Sequence, residues 1–206
     1  MAQGGATMKL KSTLFLLILS LTCLLSSCNL TQVFPRADVN LSLVFGDNAT
    51  GTSDIVIGVI VDEETGAVEG YVLPEMRIAG RALPGSIGAH FSSYSIDYFG
   101  SDDKPLQTAP SKSYRGSIKL DIRPGIACTT TPIDDCSVNS ADSYPALGEL
   151  ATSTAFSPLD SDIRAALLSQ PGNYGYADIV LDGKDANGNA YSKLIPHVKI
   201  IFRVTE

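Results

Sequence analysis

YGYADIVLDGKDANGNAYSKLIPHVKIIFRV, residues 174–204, is the stretch whose reading decides the fold. It divides into two strands at Asn187-Gly188, the dipeptide that a type I′ hairpin turn requires. Val198, Ile200, Phe202 and Val204 recur at every second position, so they form the inward set of the second strand. Pro196 has no N–H to give to a ladder and therefore marks a bulge, a strand switch or an edge.

Working outward, the same period recurs. In SIKLDIR (117–123), Ile118, Leu120 and Ile122 point one way and Lys119, Asp121 and Arg123 the other, as in an antiparallel sheet with one wet face. SYSIDYF (93–99) puts Tyr94, Ile96 and Tyr98 on one face, and VNLSLVF (39–45) does so with Val39, Leu41, Leu43 and Phe45. DIVIGVIV (54–61) is nearly continuous in apolar side chains, as a strand buried at the sheet centre would be. DEETGA then turns the chain, and VEGYVL (68–73) returns as its hairpin partner. MRIAGRALPGSIGAHF (76–91) is rich in Gly and Pro and reads as a loop with one short strand at its start. SADSYPALGELATSTAF (140–156) has room for a short strand.

SDIRAALLSQPG (161–172) carries the helix signal. Ser161 is placed to cap it, Ile163, Ala166 and Leu167 share a face, and Pro171-Gly172 stops it. So short a helix is marginal by itself in water and must pack on a sheet. Cys128 and Cys136 bracket CTTTPIDDC. An even pair this close reads as a disulfide in an oxidising compartment, worth about 2.5 kcal/mol in the chain-entropy model.

The expectation is a mainly all-β chain: an antiparallel β-sandwich of seven or eight strands, with one short helix and one disulfide-closed loop. SYSIDYFGSDDKP and ADIVLDGKDANGNAY…VKIIF resemble strand pairs of immunoglobulin-like extracellular modules, although the chain has no Trp for the core and no inter-sheet Cys pair. Residues 38–206 would form a single domain, with residues 124–173 as a long loop-and-helix insertion.

The amino end has a different character. Lys9 and Lys11 precede an apolar run from Thr13 to Leu25, which is shorter than the roughly 20 residues that cross a bilayer. Leu25-Ser26-Ser27-Cys28 follows, and it resembles the bacterial lipobox: a Leu, two small residues and an acceptor Cys. The resemblance implies that residues 1–27 are a cleaved lipoprotein signal and that Cys28 carries the lipid on its sulfur. Residues 28–37 then form a tether of about 30 Å at most when extended. Two or more acyl chains give stable anchoring, whereas one is marginal.

Net charge is −7 for the whole chain. Two Lys and no acids lie in residues 1–27, which leaves thirteen basic against twenty-two acidic residues, a net −9. That balance argues against nucleic acid and against docking on anionic lipid by charge alone.

Candidate chemistry is sparse. His90 and His197 are the two histidines, and nothing in their spacing joins them or supplies further metal ligands. Ser86 in LPGSIGA lacks the context of a nucleophile elbow, and Ser101 with Lys104 in SDDK fits a solvated turn. Asp185, Asn187 and Asn189 supply oxygens at alternate positions, a weak calcium pattern whose later places, Ala190 and Pro196, do not suit an EF-hand. A looser calcium site could join Asp62–Glu64 to Asp102-Asp103.

The sequence thus points to a non-enzymatic, lipid-anchored extracytoplasmic protein of a bacterial envelope, without a cofactor beyond its lipid. Its partner would be another envelope protein, met through a sheet edge or the 124–173 loop. The alternative is a small-ligand or carbohydrate-binding lipoprotein that feeds a transporter or enzyme and uses Tyr94, Tyr98, Tyr174, Tyr176 or Tyr191.

Met8-Lys9-Leu10-Lys11 is the natural start of such a signal, whereas residues 1–7 fit neither its charged nor its apolar part. Amino-terminal sequencing of the unprocessed precursor should therefore begin at Met8; a start at Met1 or Ala2 would reject that assignment.

Overall fold

The computed structural model describes residues 36–45, 54–106, 114–132, 134–157 and 159–204. Cys28 and the signal and tether assignments lie outside these residues, apart from Arg36 and Ala37.

The chain is a mainly-β sandwich. A six-stranded sheet has the order β3 (Val68–Val72), β2 (Asp54–Val61), β11 (Ala190–Val204), β10 (Tyr174–Asp185), β5 (Ala89–Phe99), β6 (Tyr114–Ile122). A smaller sheet has the order β1 (Val39–Phe45), β4 (Met76–Ala82), β9 (Ala151–Thr152), and β7 (Ile126–Cys128) pairs with β8 (Ser143–Pro145) beside the disulfide loop. One helix, α1 (Ser161–Leu168), precedes β10. Ile55, Ile57, Phe91, Ile96, Ile179, Leu181 and Ile200 of the large sheet share one buried cluster with Val39, Leu43, Met76 and Ile78 of the small one. The carboxyl-terminal hairpin, β10 with β11, thus supplies both middle strands of the large sheet.

Several expectations need correction. The large sheet is mixed rather than purely antiparallel, because β2 runs parallel to β11, with Ile55 beside Ile200 and Ile57 beside Phe202. No hairpin joins these two strands; residues 62–189 form their crossover. Among the described residues the strands number eleven, three of them only two or three residues long. The short strand expected at the start of MRIAGRALPGSIGAHF is present as MRIAGRA, seven residues long and at the middle of the small sheet, while AHF at the end of that stretch already belongs to β5. Ala79 is buried along with Met76, Ile78 and Ala82, so the MRIAGRA pattern shows no clean alternation.

The hairpin turn is also different. Gly188 takes φ +84°, but Asn187 is not in the left-handed region, so this is the three-residue loop with one left-handed glycine rather than type I′. The Asp185 carboxylate organises it, accepting from the backbone N–H of Asn187 and of Asn189, each at 2.9 Å. Pro196 does mark a bulge, since pairing shifts between Ala177 and Ile179. Val204, expected inward, is 62 % exposed although it stands beside the buried Val59. Asp160 rather than Ser161 caps α1, its carboxylate accepting from the Ile163 N–H at 2.9 Å. Ile163 and Leu167 then seal the cluster.

β10 approaches β5 unusually closely at the register shift near Gly183. A Cβ there would lie 2.0 Å from the His90 carbonyl oxygen and 2.7 Å from the Phe91 Cα, so backbone must move to admit it. Gly183→Ala should therefore lower stability by about 3 kcal/mol in urea denaturation. Gly66→Ala, where φ is +68° and nothing lies within 4 Å, should cost only about 1 kcal/mol.

Candidate functional site

The disulfide loop is built as a closed unit. Cys128 and Cys136 are bonded, S–S 2.02 Å with Cα atoms 5.9 Å apart. Across β7–β8, the Asp142 carboxylate gathers the intervening threonines. Its Oδ2 accepts from the Thr131 N–H at 2.8 Å and from the Thr130 N–H and hydroxyl at 2.8 and 2.7 Å. Its Oδ1 accepts from the Thr131 hydroxyl at 2.8 Å. These donors, the Thr131 N–H foremost, hold the carboxyl well below the usual aspartate range. Sequence reading found the bridge but not this second clasp; the signal was a lone acid facing a TTT run across a short hairpin.

The candidate ligand groups are absorbed by their own turns. The Asp185 carboxylate is engaged as above, and its Oδ2 also accepts from Asn189 Nδ2 at 3.1 Å. Asp62 Oδ1 accepts from the Thr65 hydroxyl and N–H and from the Glu64 N–H, and its pKa is lowered mainly by the Thr65 hydroxyl. Asp102 pairs with Lys104 at 2.7 Å, which lowers the acid's pKa and raises the amine's. By register, Phe99 ahead of the Asp102 turn stands level with Asp54 at the start of β2, whereas the Asp62 turn lies beyond the far end of that strand and three strands across, so the two do not converge. Among the described residues there is no group of three or more His, Cys, Asp or Glu that could hold a metal ion. Ser86 is buried and donates to the Asp38 carbonyl at 2.9 Å, a structural role.

The two histidines are separate. His90 pairs with Asp121 across β5 and β6. His197, with φ +55° in the β11 bulge, gives its backbone N–H to Asp178 at 2.7 Å, and its ring stacks on Tyr176 with centroids 3.9 Å apart. Asp103 lies 3.8 Å from its Nε2.

The tyrosines are largely committed. Tyr94 and Tyr98 are core residues; burial, aided by Tyr114, pushes Tyr94 up to about 12, and burial also raises Tyr98. Tyr191 packs on Phe91 at 5.7 Å. Tyr174 and Tyr176 reach the outer face, but Lys199 Nζ sits 4.9 Å over the Tyr174 ring and His197 covers Tyr176. A cleft of about 400 Å³ lies between the β5–β6 turn and the end of α1, lined by Gly100, Asp102, Lys104, Leu106 and Gln170. Its ionic groups already satisfy each other.

The surface feature without an internal purpose is apolar. Ile55, Ile57 and Val59 point into the sandwich, so Val56 and Ile60 must point out, and they are 38 % and 40 % exposed. Val72 stands beside Gly58 on this outer face and is 52 % exposed, with Val68 at 49 % farther along the same strand. DIVIGVIV was expected to be a central strand, and β2 does lie between β3 and β11, but only one of its faces is covered. In a two-layer sandwich each sheet has only one inner face, so a continuous apolar run necessarily spills outward. That geometric rule was the signal that could have found this stripe.

No protein-family model matches the chain, and no curated protein matches it significantly. No helix among the described residues is long and apolar enough to cross a membrane.

The Asp142 clasp makes a pH-dependent prediction. A carboxyl held below its ordinary 3.8 stabilises the fold above that pH and loses the effect as pH falls through the folded-state value. Asp142→Ala should lower Tm at neutral pH and expose residues 129–142 to proteolysis. The gap from wild type should narrow steadily below about pH 4.

Proposed function

We propose that this chain is a lipid-anchored extracytoplasmic protein of the bacterial envelope whose sandwich acts as a non-enzymatic binding or assembly module. The anchor rests on the resemblance of Leu25-Ser26-Ser27-Cys28 to a lipobox. The Cys128–Cys136 bridge fits an oxidising compartment, where such bonds persist. The observation that carries the binding role is the outward stripe of Val56, Ile60 and Val72 on β2 and β3. Branched apolar side chains on the wet face of a sheet cost solubility and add nothing to the core, so a partner is the economical reason for them. The partner is another envelope protein, held near the membrane by the short tether. Nucleic acid is disfavoured by the −9 charge of residues 28–206. A carbohydrate-binding role has less support, because Lys199 and His197 occupy ring faces that a sugar would need.

Two measurements test this reading. Labelled fatty acid should enter the wild-type chain and not Cys28→Ser; labelling of both, or of neither, removes the anchor. A photo-crosslinker at position 72 in intact cells should trap one discrete envelope protein, while the same group at position 119 should not. Absence of any adduct from either position, or from others scanned over the surface, would remove the binding role.

A further inference from the structure

The sandwich leaves its sheet edges in unlike condition. β6 is overlain by the residues after β9: Thr154 donates its N–H to the Lys119 carbonyl at 3.2 Å, and its hydroxyl accepts from the Lys119 N–H at 3.3 Å. Arg115 and Lys119 add the charges that commonly blunt an edge. β1 shows solvent the polar side chains of Asn40 and Ser42. β3 is different. It closes the large sheet with Val68 and Val72 half exposed, and among the described residues no strand pairs with its far side. Neither Lys nor Pro stands within it. The outer-face stripe of Val56 and Ile60 continues directly from Val72.

The segment that forms this edge carries acids and no base, the nearest bases being Arg164 over the Tyr71 ring and Arg203 beside Gly58. From Asp62 to Glu75 the chain has Asp62, Glu63, Glu64, Glu69 and Glu75 and no base. Asp62 is spent on its turn and Glu75 on Arg77, at 2.7 Å. Glu63, Glu64 and Glu69 are exposed and have no ionic partner among the described residues. Two copies of this edge brought together would oppose acid to acid, which works against self-pairing.

We infer that β3 is a docking edge for an extended segment of another polypeptide, one that alternates basic and apolar side chains and adds as a seventh strand. Main-chain hydrogen bonds to β3 would hold it, its apolar side chains would extend the Val72–Ile60–Val56 stripe, and its bases would answer Glu63, Glu64 and Glu69. The inference rests on the binding reading above and names its surface and chemistry.

The probe is an eight-residue capped peptide of alternating Val and Lys, titrated into the full-length chain in detergent and followed by fluorescence anisotropy. It should bind at least about tenfold more tightly than its Val/Glu counterpart. Binding should weaken several-fold as salt rises from about 50 to about 300 mM. N-methylation of alternate residues should abolish it, and Val72→Lys should weaken it about tenfold while Lys119→Ala leaves it unchanged. No saturable binding, equal binding of the Val/Glu peptide, or indifference to N-methylation would overturn the inference. So would a concentration-dependent dimer that Val72→Lys dissolves, since a second copy would then be the occupant. Crosslinks from another face of the sandwich, together with a silent peptide titration, would defeat the β3 assignment and leave the binding reading standing.

Discussion

Burial of Ala177, Ile179 and Leu181 of β10 beside Val198 and Ile200 of β11 is the constraint on which the other elements depend. The hairpin that makes this contact is local in sequence and occupies the middle of the large sheet. β5 lies against one side of it and β2 against the other, one antiparallel and one parallel. The small sheet and α1 then close over the inner face through Ile78, Met76, Ile163 and Leu167. Without the hairpin, β2–β3 and β5–β6 would be isolated two-stranded ribbons, which are marginal in water.

Away from that core, the long connection from β6 to α1 is held by means that need little apolar area. A covalent bridge closes residues 128–136, and the Asp142 carboxylate draws the threonines between them onto β8. Ser153 does similar work beside β4, where its hydroxyl accepts from the Ile78 N–H at 2.9 Å and donates to the Thr154 carbonyl at 2.8 Å. These polar clasps fix a segment that buries few large side chains. Polar groups there are satisfied locally, while apolar side chains meet solvent both on the sheets and within this connection, at Leu147 and Leu150.

That division gives the functional reading its physical basis. Acids in the turns satisfy neighbouring N–H groups, the histidines are spoken for by Asp121 and Tyr176, and the rings of Tyr174 and Tyr176 are partly covered by Lys199 and His197. Val56, Ile60, Val68 and Val72 have no such internal employment. A surface of this kind suits recognition by shape and main-chain pairing better than chemistry at a reacting atom.

Strands with one wet face were legible from residue order. SIKLDIR, SYSIDYF and the last strand each announced their buried sets through period 2, and the Cys pair announced its bridge by spacing. The full length and central place of MRIAGRA were not legible, since Ala79, Gly80 and Ala82 are small enough to be buried without an amphipathic pattern. Asp160 as the cap, the single left-handed residue of the 186–188 turn and the Asp142 clasp depend on where side-chain oxygens fall in space. Residue order by itself determined a β-rich chain, and showed a Leu-Ser-Ser-Cys stretch that resembles a lipobox, because alternation and short motifs are local properties. Tertiary structure alone decided that β2 lies parallel to β11 and that Val56 and Ile60 face water, because strand order and the count of layers arise from contacts between segments more than a hundred residues apart.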